Sequence, residues 1–101
     1  MSLLEELKNY LDVTWTDDAT DNKLSGILKR AGIILSEYAG ETLTFGDTQE
    51  REKQLLFDCC RYIYNNALED FKTNFAAEIT MLRAKYAVKE MEDSDAKVSE
   101  V

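Results

Sequence analysis

The sequence predicts a small all-α fold, a bundle of about four helices followed by a flexible acidic C-terminal tail. Three observations carry this prediction. The composition, 45% hydrophobic and 32% charged, is that of a folded globular chain. The chain has no proline, the strongest helix breaker, and only four glycines. Its apolar residues recur every three to four positions, the period of an amphipathic helix. A length of 101 residues suits one domain.

The first two helices are predicted over 2–11 and 17–39. Apolar residues at helical spacing define the first, and Asp12, Val13 and Thr14 weaken its continuation. Acidic and cap-type residues at Asp17 and Asp18 suit the start of the second, because they satisfy free amides and the positive end of the helix dipole. Apolar positions then continue for four turns up to Gly40, a residue typical of the position after a helix end.

The remaining helices are predicted over 48–71 and 74–90. Between Gly40 and Asp47 we predict a loop anchored by Leu43 and Phe45. Asp47 and Glu50 have the spacing of a capping box, which places the start of the long third helix there. Thr73 and Asn74 interrupt the apolar pattern and separate the third helix from the last one.

The chain divides into a single helical domain, 1–91, and a tail, 92–101. The tail has four acids, one base and two valines. So little apolar surface does not offset the entropy lost on ordering, and we therefore expect the tail to be mobile in an isolated subunit.

Charge and residue types argue against several classes of function. The formal charge is −8, from 12 bases and 20 acids, whereas tight binding to nucleic acid requires clustered Lys and Arg. The chain has no histidine, and its glycines form no phosphate-binding motif. Adjacent Cys59 and Cys60 lack the spacing of a zinc site, so we expect reduced core thiols. We predict no catalytic, cofactor or metal site, and no enzymatic activity.

The sequence also predicts that the protein is synthesised in a cytosol and stays there. It contains no apolar run of the roughly 18 residues that a membrane span requires, and its start lacks the basic region of a secretory signal.

Two adjacent asparagines stand out within the predicted third helix. Asn65 and Asn66 gain little from a helix interior. Either they make a tertiary or intersubunit hydrogen bond, or they lie at a solvent-exposed bend, and the sequence favours neither. Tyr64 lies off the main apolar stripe, which makes it the better candidate for a subunit interface.

Residues 3–90 resemble the phage head-tail connector, or DNA-packaging adaptor, family. Supporting segments are 4–11, 15–24 and 35–40. The strongest resemblance lies in 55–71 with Asn74 and Phe75 following, where the family pattern reads Arg61-Tyr62-x-x-Asn65-Asn66-Ala67-Leu68-Glu69-x-Phe71.

This resemblance implies a virion structural subunit, assembled in the cytoplasm of a bacterial host and located at the head-tail interface of the virion. Such subunits form a ring, roughly dodecameric, beneath the portal protein. The ring contacts a tail-side completion or adaptor protein and lets DNA pass without sequence-specific binding. An acid-lined channel would repel phosphate and so allow this passage.

The connector interpretation leads to a set of candidate interface residues. Two alternative functions remain open beside it. We expect the contacts between subunits to use some of Trp15, Tyr64, Asn65, Asn66, Phe71 and Phe75. The first alternative is an acidic helical regulatory module that binds a partner protein. The second is a packaging enzyme, which would need clustered carboxylates to hold metal ions.

Overall fold

The computed structural model describes residues 2–15 and 17–99, with side chains described as far as residue 88. Within these ranges the chain forms five helices and no strand, which confirms the all-α prediction. The helices are α1 (Leu3–Tyr10), α2 (Asp18–Ala39), α3 (Glu50–Tyr64), α4 (Leu68–Asn74) and α5 (Ala76–Ser99). None of these helices is long and apolar enough to cross a membrane.

Local capping residues fix the ends of the first two helices. The Ser2 hydroxyl accepts a hydrogen bond from the Glu5 amide at 3.2 Å, and the Asp17 carboxylate accepts one from the Thr20 amide at 2.7 Å. These bonds satisfy amides that have no partner within the helix. Gly40 ends α2 in the left-handed conformation, with φ of 83°. The predicted helix over 17–39 is confirmed.

The third helix begins differently from the prediction. It starts at Glu50, no side chain caps it, and the proposed capping box of Asp47 and Glu50 is not formed. Asp47 instead pairs with Lys53, at 3.1 Å between Nζ and Oδ1. The side chain of Gln49 reaches back to accept a hydrogen bond from the Gly46 amide at 3.0 Å. Asp47 lies two residues before the cap position. Its carboxylate therefore pairs with Lys53 and does not cap the free amides at the start of the helix.

The predicted continuous helix over 48–71 is wrong, because the chain bends between α3 and α4. Asn66 adopts the left-handed conformation, with φ of 57°, and the Asn65 side chain donates to the Arg61 carbonyl at 3.0 Å. Both asparagines are exposed. They therefore form a solvent-exposed bend, one of the two alternatives that the sequence left open. Asparagine suits this bend because it tolerates the left-handed region.

The last helix begins at Ala76, immediately after Phe75, and its backbone continues to Ser99, past the predicted end near residue 90. The tail expected to be mobile, 92–101, is described only in part: its backbone as far as Ser99 belongs to α5. Its side chains and residues 100 and 101 lie outside the described part. The mobility of the tail stays a prediction.

The core lies where α2 packs along α3, and the other helices complete it. α1 and α5 pack on α2, and α4 packs on both α3 and α5. Cys59 and Cys60 are free and fully buried, as predicted, and burial raises their thiol pKa values to about 11 and about 12. Among the described residues, the fully buried apolar side chains are Leu7, Leu24, Ala31, Leu35, Leu56, Cys59, Cys60 and Phe71.

Candidate interaction site

An apolar groove runs between α3 and α5. It exists because α5 packs mainly on α2 and α4, and only slightly on α3. The space between the two helices measures about 870 Å³. Its apolar lining consists of Leu55, Phe75, Met81, Leu82, Ala84 and Val88. Its polar lining consists of Arg51, Glu52, Gln54, Asp58, Glu78 and Lys85.

The groove contains both buried and exposed apolar side chains. Leu55 and Leu82 are buried, whereas Met81 and Val88 are 59% and 55% exposed. Two large apolar side chains that share one concave surface and face water are typical of a site for another molecule. The groove is therefore the best candidate for a binding surface in the described part of the chain.

An ion pair between a buried carboxylate and an exposed lysine joins the two walls of the groove. Glu52 on α3 is only 2% exposed, and its carboxylate accepts hydrogen bonds from Lys85 Nζ at 2.5 Å and from Tyr86 Oη at 3.1 Å. Burial alone would raise the pKa of Glu52, but the hydrogen bonds from Lys85 and Tyr86 outweigh it and hold the pKa below its ordinary value. The carboxylate is therefore ionised at neutral pH and ties α5 to α3.

A second polar contact fixes α1 beside the groove. Asp58 accepts hydrogen bonds from Tyr10 Oη at 2.5 Å and from Gln54 Nε2 at 3.3 Å. Burial and the neighbouring Asp58 raise the pKa of Tyr10 to about 12, so its hydroxyl remains a donor. Lys53 also reaches Glu6 on α1, at 3.2 Å. These contacts fix α1 against α3, the helix that forms one side of the groove.

Trp15 and Tyr64, two of the predicted interface residues, lie outside the groove. Trp15 is 52% exposed on the connection between α1 and α2, and its indole Nε1 donates to Thr20 Oγ1 at 3.0 Å. This bond holds the indole on the surface. Tyr64 is half-buried, with the Lys23 ammonium 5.1 Å from the centre of its ring.

The predicted interface residues Phe71 and Phe75 belong to an aromatic cluster beneath the α3–α4 bend. Their rings stack at 4.7 Å, and the ring of Tyr62 meets both of them edge-on at 5.6 Å. Phe71 has no exposed surface, so the expectation that it bridges subunits is corrected: it is a core residue. Phe75 is half-buried and lines one end of the groove.

The groove was not predicted from the sequence, although the sequence contains part of the apolar pattern that indicates it. Met81 and Val88 are seven residues apart and lie on one face of α5, beside the stripe formed by Leu82 and Tyr86. When the apolar stripe of a helix is wider than its contact with one neighbouring helix requires, the extra width indicates a second contact. No group of three or more potential metal ligands is found among the described residues.

Comparison with known proteins gives no relative for this chain. No family model matches it, and neither a curated protein nor a solved structure does.

Proposed function

We propose that this protein is a head-tail connector subunit of a phage or prophage, acting as one copy in a ring beneath the portal. The observation that carries the proposal is the uncovered apolar groove between α3 and α5, where Met81 and Val88 face solvent. A subunit that functions only in an assembly needs an exposed apolar surface for contact with another molecule. In this proposal the protein is a structural component of the virion, with no enzymatic role.

The segment that resembles the connector family supports the proposal through its structural role. Arg61 to Phe71 forms the end of α3, the bend and the first turn of α4. The Arg61 guanidinium lies 5.5 Å from the ring of Tyr62, which packs on Phe71 and Phe75. This corner directs the chain into α5. The family-like residues therefore determine the course of one wall of the groove.

The charge of the chain fits passage of DNA through such a ring. At −8, the protein offers phosphate little attraction. In the proposed assembly some of the exposed acids line the channel and repel the DNA backbone, so that the genome slides past without adhering. Reversing the charge of those acids should slow ejection of DNA, and unchanged ejection would remove this part of the proposal.

The proposal is tested with the portal protein of the same phage. The chain is run alone and with the portal on a size-exclusion column coupled to light scattering. We expect either a ring from the chain alone or a monomer that co-elutes with the portal in many copies. A lasting monomer that ignores the portal would contradict the proposal and favour the acidic regulatory module.

A further inference from the structure

The groove and Trp15 are two separate apolar surfaces on one chain, one a concave surface and the other a half-exposed indole. Trp15 does not line the groove, and its hydrogen bond to Thr20 keeps the indole on the connection between α1 and α2. A contact between one surface and a different surface on the next copy produces a closed ring when the rotation between copies closes, and an open filament when it does not. The two surfaces thus have the arrangement that a head-to-tail assembly needs.

Charge indicates which end of the groove would receive Trp15. The described residues around Trp15, 12–15 and 17–18, form the Trp15 segment; they include the exposed acids Asp12, Asp17 and Asp18 and no base. At the Val88 end of the groove the exposed charged groups are Arg51 and Lys85.

The remaining acids of the groove leave this end the more basic one. Glu52 is buried beneath Lys85 and paired with it, so Arg51 and Lys85 against Glu52 give this end a net charge of +1. The other end holds Asp58 and Glu78, which would repel an acidic segment.

We propose that the Trp15 segment of one copy docks into the α3–α5 groove of the next copy, with the indole between Met81 and Val88. Arg51 and Lys85 then face the acids that flank Trp15. This inference rests on the proposed ring and names the surfaces by which its neighbours meet. The local attraction between the basic end and the acidic segment offsets the general repulsion between two chains of charge −8.

The chain supplies its own probe, because Trp15 is its only tryptophan. Half-exposed in the free subunit, the indole should emit at long wavelength, and its emission should shift to the blue as it enters an apolar groove. We expect this shift in a concentration series of the full chain, in step with the rise in mass. A Met81→Asp/Val88→Asp variant should lose both the shift and the assembly.

The matched control is Ile33→Asp, since Ile33 is 52% exposed but lies on α2, away from the groove. This variant should assemble as the natural protein does, and far-ultraviolet circular dichroism should show that all variants keep their helices. Trp15→Ala should weaken association on the order of 30-fold, as expected for a central aromatic anchor.

Mixing two defective variants gives the sharpest form of the test. Trp15→Ala keeps only the groove, and Met81→Asp/Val88→Asp keeps only the indole. At concentrations where the natural chain assembles but a contact weakened about 30-fold does not, each variant alone should remain monomeric, whereas a mixture should form pairs and nothing larger. Assembly of either variant alone at those concentrations, or assembly of the natural chain with unshifted tryptophan emission, would overturn the docking inference and leave the ring intact.

A natural chain that stays monomeric at every concentration would also overturn the docking inference. The proposed connector function would then be decided separately by co-elution with the portal.

Discussion

At the residue scale, the groove depends on a few polar side chains that connect the helices around it. Glu52 is the only buried charged residue in the described part of the chain, and Lys85 and Tyr86 satisfy its carboxylate. Asp58 plays a similar role toward Tyr10. Such pairs hold helices at a fixed separation where apolar side chains do not fill the space between them.

Replacing Glu52 should lower stability in a way that depends on pH. Because its folded pKa lies below the ordinary value of 4.5, its contribution is fully present above that pH and is lost as pH falls through the folded pKa. Glu52→Gln should therefore cost about 1.5 to 3 kcal/mol near neutral pH, the range for hydrogen bonds to a charged group. The difference from the natural protein should shrink in acid.

Urea unfolding at neutral and acidic pH measures this effect. Glu37→Gln is the control, because Glu37 is exposed on α2 and its replacement should leave stability nearly unchanged. A Glu52→Gln penalty that stays the same across the pH range would contradict the assigned role of the carboxylate.

The residue scale also shows which interface candidates a sequence can identify. Trp15 was expected on a surface and is exposed, whereas Phe71 was expected on a surface and is fully buried. Helical spacing alone places Phe71 on an apolar face but does not tell whether that face meets the core or a second molecule. The distinction depends on the bend and on Tyr62 and Phe75, which close over it.

At the element scale, helix ends that depend on local chemistry were predictable. Asp17 and Gly40 mark the limits of α2, because capping by a side chain and a left-handed glycine are properties of adjacent residues. The break after Tyr64 was not predictable from spacing, since the apolar series runs through it. The groove was not predictable either, because it follows from the separation of α3 and α5, helices joined through a bend and a third helix.

Substitutions at Asn66 test the origin of that bend. With φ of 57°, Asn66→Gly should leave stability nearly unchanged, whereas Asn66→Val should cost on the order of 1 to 2 kcal/mol, because a β-branched residue is strained there. Thermal or urea unfolding of the two variants gives the comparison. Equal stability of the glycine and valine variants would show that the left-handed conformation does not govern the bend.

At the scale of the whole molecule, the chain combines an acidic surface with unfilled apolar contacts. A net charge of −8 makes copies repel one another, while the groove and Trp15 are the two surfaces by which we propose that they meet. The all-α class followed from composition and periodicity. Assembly did not, because it depends on which apolar side chains remain uncovered after the core has formed.

The central claim is that copies of this chain form a ring on the portal, and electron microscopy of the purified complex with the portal tests it most directly. We expect a closed ring of many copies, coaxial with the portal and open along its axis. Single copies attached at unrelated sites, or portal particles without added density, would contradict the claim.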